Sequence, residues 1–442
     1  MSFSRRCFTR IAGTGMVMSY FADVLDPRLL LASTTRAAPP LRNTARNCIF
    51  IFLYGAPSQV DMWDFKEGPW TPADFAPESH GEIRWPHGLL PKTGEHLDKL
   101  AIVRSGQSWA SVHQLGRSWV QLARNPAGPT GSIAPHIGAV VALESQEARG
   151  AADVLPAFVA LNAEGVAGSG YLPARYAPFG VQTIATGLPS LVHPTAPSRF
   201  TRRLDLIQQL REARTSPSLG KAANDMTDSY AQGEVLMHAS GINELFSFDA
   251  GEHDRYGATP FGDSLVVARN LVASRRGTRF VYTTLTGWDH HSDIYDHAAE
   301  KSLYAQSRLL DPAVGALLTD LASMNILDET LVVLVGEFGR TAGPPNNQGG
   351  RDHALRNSIV FAGGGVRGGR VIGQTDDIGQ KIVDYGWSAN RDVRTEDVAC
   401  TIYSALGIDY TTIRQDDPLG RGFEYVPHAK DGGYGPVEEL WG

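Results

Sequence analysis

Three segments concentrate groups able to ligate a cation: Gly287-Trp288-Asp289-His290-His291, Gly336-Glu337-Phe338-Gly339-Arg340-Thr341 and Gly350-Arg351-Asp352-His353. Carboxylates with imidazoles are the ligand set of zinc and, where oxygen dominates, of harder divalent ions. Asp289 and His291, two apart in a loop, can converge on one point, with Trp288 beside them as a shield from water. Taken alone, the pair reads equally as a helix N-cap with surface histidines. Glu337 stands between glycines and, in an apolar-walled cleft, would need a cation; its plain alternative is a partner for Arg340. Asp352 and His353 could serve one ion or two neighbouring ones, although a lone Asp-His pair is as often an exposed turn. The weight comes from all three occurring together, each behind a strand pattern or a Gly-rich loop.

Other residues could handle an anionic substrate. Ser58 follows the first strand pattern and is a candidate nucleophile, with Asp61 and Asp64 sharing a face if a turn of helix begins there. Ser111 and His113 open a helix pattern, where free N–H groups favour an anion. Arg104, Arg340 and Arg351 could clamp a phosphate or sulfate oxyanion, though each alone is more often an ion-pair partner.

The elements that must hold these groups are legible from apolar runs. Phe280–Leu285 and Leu331–Val335 precede the first two segments, and Asn47–Tyr54 is a third such run. Continuous apolar runs of this length read as buried parallel strands. Shorter strand patterns cover Leu100–Val103, Pro156–Leu161 and Ser358–Ala362. Helical spacing covers Ser111–Arg124, Ile133–Leu143, Gly262–Ser274, Ala298–Met324 and Thr395–Leu406. This alternation predicts an α/β fold, a mostly parallel sheet with helices on both faces. In such sheets ligands bind beyond the carboxyl ends of the strands, where the three segments fall. The organisation expected is one domain over 46–428 with a helical insertion at about 200–246, placed to cap the ligand end.

The formal net charge of −7 argues against a general nucleic-acid binder, which would show a basic face. Ser4-Arg5-Arg6-Cys7-Phe8-Thr9-Arg10 has the pattern of a twin-arginine export signal. The apolar stretch after it is broken by Gly13, Gly15, Asp23 and Asp26, too polar for a membrane span. Residues 1–38 are therefore read as a signal peptide, the partner as the twin-arginine machinery, and the destination as the periplasm or the outside. Cys48 and Cys400 are expected as buried thiols, although an exported protein could join them.

No G-x-G-x-x-G fingerprint, P-loop lysine or G-x-S-x-G elbow occurs. The succession GAPSQVDMWDFK, LAIVRS with His113 following, FGDSLVVARNLV, GWDHHSD, GEFGRT, GRDH and AGGGVRGGRVIGQTD resembles a bacterial family of twin-arginine-exported, sulfatase-like proteins placed in the alkaline phosphatase superfamily. The resemblance runs from about Arg46 to Asp409. It implies an alkaline phosphatase-like sheet with a divalent metal site, commonly two zinc ions, with calcium or manganese as alternatives, acting on a small-molecule or glycan phosphate or sulfate ester. It assigns Asp289, His291 and Glu337 to metal, with Asp352 and His353 restoring a ligand lost at Phe338, where the superfamily has histidine. Gly55 stands where the superfamily has its first-strand aspartate, and Asp61 is the nearest substitute. Ser58, Ser105 and Ser111 compete as nucleophile, and no Cys-x-Pro-x-Arg motif for a formylglycine is present. The function expected is a metal-dependent ester hydrolase; the alternative is a non-catalytic, metal-containing binding protein of the same fold at the cell envelope.

Overall fold

The computed structural model describes residues 39–189, 191, 197–212 and 220–442. The twin-arginine segment lies outside the described residues, and everything below concerns the unit Leu41–Gly442. Among the described residues no helix is long and apolar enough to cross a membrane.

Eight strands form the main sheet: β1 (Asn47–Tyr54), β2 (Leu100–Gln107), β3 (Phe158–Leu161), β4 (Phe179–Val181), β5 (Phe280–Thr286), β6 (Thr330–Gly336), β7 (Arg356–Ala362) and β8 (Arg370–Ile372). Their order is β8-β2-β7-β6-β1-β5-β3-β4. β1 lies between β5 and β6, parallel to both, with Phe50 level with Tyr282 and Val333. β3 is parallel to β5 and to β4, and β8 to β2. β7 alone runs the other way, antiparallel to β2 and β6. The sheet is thus mostly parallel, as the strand–helix alternation predicts.

The continuous apolar character of β1 has a direct cause: both of its faces are covered. Ile49, Ile51 and Leu53 point into one core with Leu265 of α5 (Pro260–Ser274) and Leu310 of α6 (Leu303–Ser323). These labels follow α1 (His113–Leu122), α2 (Ile137–Glu144), α3 (Pro197–Glu212) and α4 (Gly220–His238). Cys48, Phe50 and Phe52 point into the opposite core with Val140 of α2 and Ile402 of α7 (Thr395–Ala405). With no face left for water, alternation disappears from the sequence. Cys48 and Cys400 are both buried and free.

The described residues of the insertion are helical, and α4 among them lies away from the ligand end. Within α4, Asp225 accepts from the Ala174 backbone N–H at 3.0 Å, and Asp228 pairs with Arg175 at 3.0 Å. Val235 and Ala231 face Pro156 and Ala157, at the amino end of β3. α4 therefore sits near the sheet's opposite end, where its short polar anchors find partners. The edge strand β4 is too short and glycine-interrupted to show a period in the sequence.

Candidate metal centre

One edge of the sheet collects the chemistry. β1, β5 and β6 are parallel and end there, just before Gly55, Gly287 and Glu337. β2 ends there as well, because Gln107 is level with Arg356, the first residue of antiparallel β7. The segment leading into β7 therefore arrives at the same edge and delivers Asp352 and His353. His113 arrives as the first residue of α1, just beyond β2.

Three imidazoles and one carboxylate converge. Nε2 of His291 is 3.1 Å from Asp289 Oδ1, and Nε2 of His113 and of His353 are each 3.3 Å from that oxygen. The Nε2 atoms of His291 and His353 are 3.0 Å apart. Each ring is held from behind at Nδ1: His113 by Glu337 Oε1 at 2.6 Å, His353 by the Ser111 carbonyl at 2.8 Å, and His291 by Asp352 Oδ1 at 3.1 Å. A carbonyl or an ionised carboxylate can only accept, so each Nδ1 carries the proton and each Nε2 turns a lone pair inward. Nε2 of His113 is buried without a hydrogen-bond partner. Acceptor atoms facing one another at this range repel unless positive charge lies among them; the Arg340 guanidinium supplies part of it, 2.5 Å from Asp289 Oδ1 and 3.4 Å from His291 Nε2. Donor atoms of His113, Asp289 and His353 all fall within 4.8 Å of one another, and they form the one such group of three among the described residues.

This arrangement matches the usual support of metal-bound histidine, in which the far nitrogen donates to a carboxylate or carbonyl that fixes ring and tautomer. The donor set therefore fits a divalent cation. It also redistributes the expected roles. Asp289, His291 and His353 turn donors inward, and His113, expected beside the nucleophile, joins them. Glu337 and Asp352 stand behind imidazoles: Glu337 Oε1 also accepts the Gly55 N–H at 2.9 Å, and Asp352 Oδ1 the Asn346 amide at 3.3 Å.

Asp61 is engaged elsewhere. Its carboxylate takes both arms of Arg351, at 2.7 and 3.0 Å, the Ser58 hydroxyl at 2.6 Å and the Tyr295 hydroxyl at 2.7 Å. With these bonds its lone pairs are occupied, and Ser58, fully buried, has its proton committed to the same carboxylate. Arg104 is buried against Asp64, at 3.3 Å, and the Trp63 carbonyl. Ser105 is buried too. Arg340 has no exposed side-chain surface: it donates to Asp289 Oδ1 at 2.5 Å, to the Ala56 and Arg351 carbonyls at 2.9 and 3.0 Å, and to the Gly55 carbonyl. It fixes Asp289 from within rather than reaching for a solvent-borne oxyanion. Of the serines weighed as nucleophile, Ser111 is the exposed one, and its carbonyl already touches the cluster through His353.

The two departures from the superfamily pattern have physical reasons. Phe338 is fully buried, its ring 4.9 Å from that of His113 and 4.6 Å from that of His353, so it is a wall for two imidazoles of the cluster. Gly55 has φ +110°, and a Cβ there would lie 2.7 Å from the backbone nitrogens of Trp288 and Asp289. No side chain, aspartate included, fits that passage.

Charge in the cluster is uneven. Burial opposes ionisation of Asp289, but the Arg340 bond and charge, with His113, outweigh it and hold the carboxyl well below the usual range. The Glu337 hydrogen bond raises His113. Burial, aided by Arg340, lowers His353. His290, buried with neither ring nitrogen hydrogen-bonded, is pushed down to about 4 by burial.

A mostly parallel α/β sheet with a histidine–carboxylate cluster at its carboxyl edge is the class of protein defined so far. The chain belongs to the family described as protein of unknown function (DUF1501), whose model matches residues 45–430. No curated protein matches it. Among solved structures, Ps i-CgsB is similar at 12% identity over 88% of this chain and 76% of that one, TM-score 0.43. PsFucS1 sulfatase from Pseudoalteromonas sp. is similar at 12% identity over 82% and 68%, TM-score 0.40. A protein in the alkaline phosphatase superfamily from Vibrio parahaemolyticus is similar at 10% identity over 87% and 76%, TM-score 0.35.

Proposed function

We propose that this protein is an exported, metal-dependent hydrolase of phosphate or sulfate esters. The observation that carries the reading is the convergence of three Nε2 atoms on Asp289 Oδ1, each ring locked at Nδ1 by an acceptor. His113, His291, His353 and Asp289 would hold the ion. When bound, a divalent cation there supplies Lewis acidity to an ester oxygen and offsets charge developing in the transition state. The chain's own residues prepare the site. Arg340 keeps Asp289 ionised and oriented, Phe338 excludes water behind two rings, and Glu337 fixes His113. Ser111, exposed and with its carbonyl on His353, would be the attacking serine: its Oγ bonds to phosphorus or sulfur as the bond to the leaving alcohol breaks, its proton goes to that alcohol, and water then hydrolyses the seryl ester to free phosphate or sulfate and restore the serine; direct attack by water gives the same products.

Elemental analysis of the purified protein, with assays of aryl phosphate, phosphodiester and aryl sulfate under added zinc, manganese or calcium, tests this. Bound metal and a metal-dependent turnover abolished by His353→Ala are expected. Metal without turnover of any of the three favours the non-catalytic binding protein, a reading that the commitment of Ser58 and the burial of Ser105 independently support. Absence of metal from the protein after loading refutes both.

A further inference from the structure

On the outer side of the loop that joins β2 to α1 lies a cavity of about 460 Å³, within the size range of small-ligand sites. Ser108 and Ser111 of this loop face the metal centre, through the Glu337 carbonyl and His353. Trp109, between them in sequence, faces the cavity and is 42% exposed. Trp119 of α1 lies beside it, ring centres 6.0 Å apart and planes 24° apart. Both indole N–H groups donate to one buried carboxylate, Trp109 to Glu396 Oε2 at 2.9 Å and Trp119 to Oε1 at 2.8 Å. With both polar edges tied inward by the same anchor, each indole offers the cavity only carbon surface, in a fixed orientation. Asn125, Thr130 and His428 place amide, hydroxyl and imidazole groups around it.

We propose that this cavity binds a hexopyranose ring of a glycan, stacked on the Trp109–Trp119 pair. A pyranose has one face of C–H bonds, which suits the negative face of an indole, and a rim of hydroxyls, which suits the amide, hydroxyl and imidazole. Thr130 and Asn125 each hold one partner already, the Arg124 guanidinium and the Ala127 N–H, but a purely apolar ligand would take water from their remaining polar groups and from His428 without replacing it. A quaternary ammonium is disfavoured on two counts. Both Glu396 oxygens are spent on indoles, and the Arg124 guanidinium stands in the lining with Glu424, backed by the positive charge of Arg394 and Arg391. Neither Arg394 nor Arg391 lines the cavity. The pairing is rigid before any ligand arrives, so little ordering cost falls on binding. The site needs no metal and stands independently of the hydrolase reading.

The test is a hexopyranose oligosaccharide array, neutral, amino and uronic, probed with the full chain, followed by titration of the positives by tryptophan fluorescence. The same titration is run on chelator-treated protein and with choline chloride. Binding of at least one glycan, retained after chelation, is expected. Trp109→Ala should weaken it about tenfold or more, and Trp109→Phe should restore most of it. Trp109→Ala also takes a donor from the buried Glu396 carboxylate, so its thermal midpoint should fall; Trp109→Phe takes the same donor but keeps a ring, so binding lost in alanine and kept in phenylalanine assigns the loss to stacking, and Trp119→Phe provides a second variant. No glycan bound, glycan binding indifferent to Trp109→Ala, or choline bound in place of sugars overturns the proposal. Loss of metal or of ester hydrolysis does not touch it.

Discussion

Replacing Glu337 by glutamine separates support of the metal ligand from support of the fold. Glu337 is fully buried, and one oxygen, Oε1, serves both the His113 imidazole at 2.6 Å and the Gly55 N–H at 2.9 Å. Glutamine keeps a carbonyl oxygen able to accept both and changes little in shape. What it removes is the charge that makes the imidazole bond charge-assisted and raises the basicity of Nε2. Losses of such supporting partners lower metal affinity roughly 10- to 100-fold, or about 1.4 to 2.8 kcal/mol. Glu337→Ala takes away the acceptor as well, leaving the buried Gly55 N–H without a partner, which adds about 1–3 kcal/mol of lost fold stability. Zinc affinity would be measured by competition with a chromophoric chelator, and stability by guanidinium unfolding of the metal-free protein. The expected pattern is an affinity loss in both variants and a stability loss confined to alanine. A glutamine variant binding zinc within about twofold of wild type would refute the idea that Glu337 acts through His113.

Asp61→Asn should cost about 3–5 kcal/mol in urea unfolding, because it strands the fully buried Arg351 guanidinium; a loss below about 1 kcal/mol would mean the pair is solvated or replaceable. Burial pushes His136 down to about 3, so the native state refuses a proton that the unfolded chain accepts near pH 6.5. Its stabilising contribution is complete above that pH and is lost as pH falls toward 3, by on the order of 1 kcal/mol per unit. His136→Asn, which keeps an acceptor for the Gly138 N–H, should flatten this slope relative to wild type, and parallel pH–stability curves would count against it. Arg5→Lys/Arg6→Lys should block export while leaving the fold intact, since a receptor reads the guanidinium pair rather than its charge; wild-type periplasmic levels in cell fractions would dismiss the twin-arginine reading.

The sequence discloses which residues reach the sheet edge far better than what each does there. Strand ends are legible because burial on both faces of β1, β5 and β6 writes continuous apolar runs, and whatever follows such a run lies at the ligand edge. Asp289, His291 and Glu337 could be read that way. His353 reaches the same edge by a different route, ahead of the antiparallel β7, and no local pattern announces strand direction. His113 carries the same signal as the others, a histidine just past the end of a strand, but β2 continues to Gln107 through Arg104-Ser105-Gly106-Gln107, polar enough to look like loop. Roles within the cluster depend on contacts between distant segments. Glu337 becomes a support because α1 sets an imidazole 2.6 Å from it, and Asp61 becomes a structural partner because the loop before His353 brings Arg351 against it. The glycines are the informative exception. A Cβ at Gly350 would lie 2.0 Å from the His291 carbonyl carbon, so that glycine reports that the loops carrying His291 and His353 touch, a fact no spacing rule contains. The residues that best define this site's geometry are thus those with no chemistry of their own, Gly55, Gly350 and Phe338, and a substitution search limited to charged and imidazole groups would pass over them.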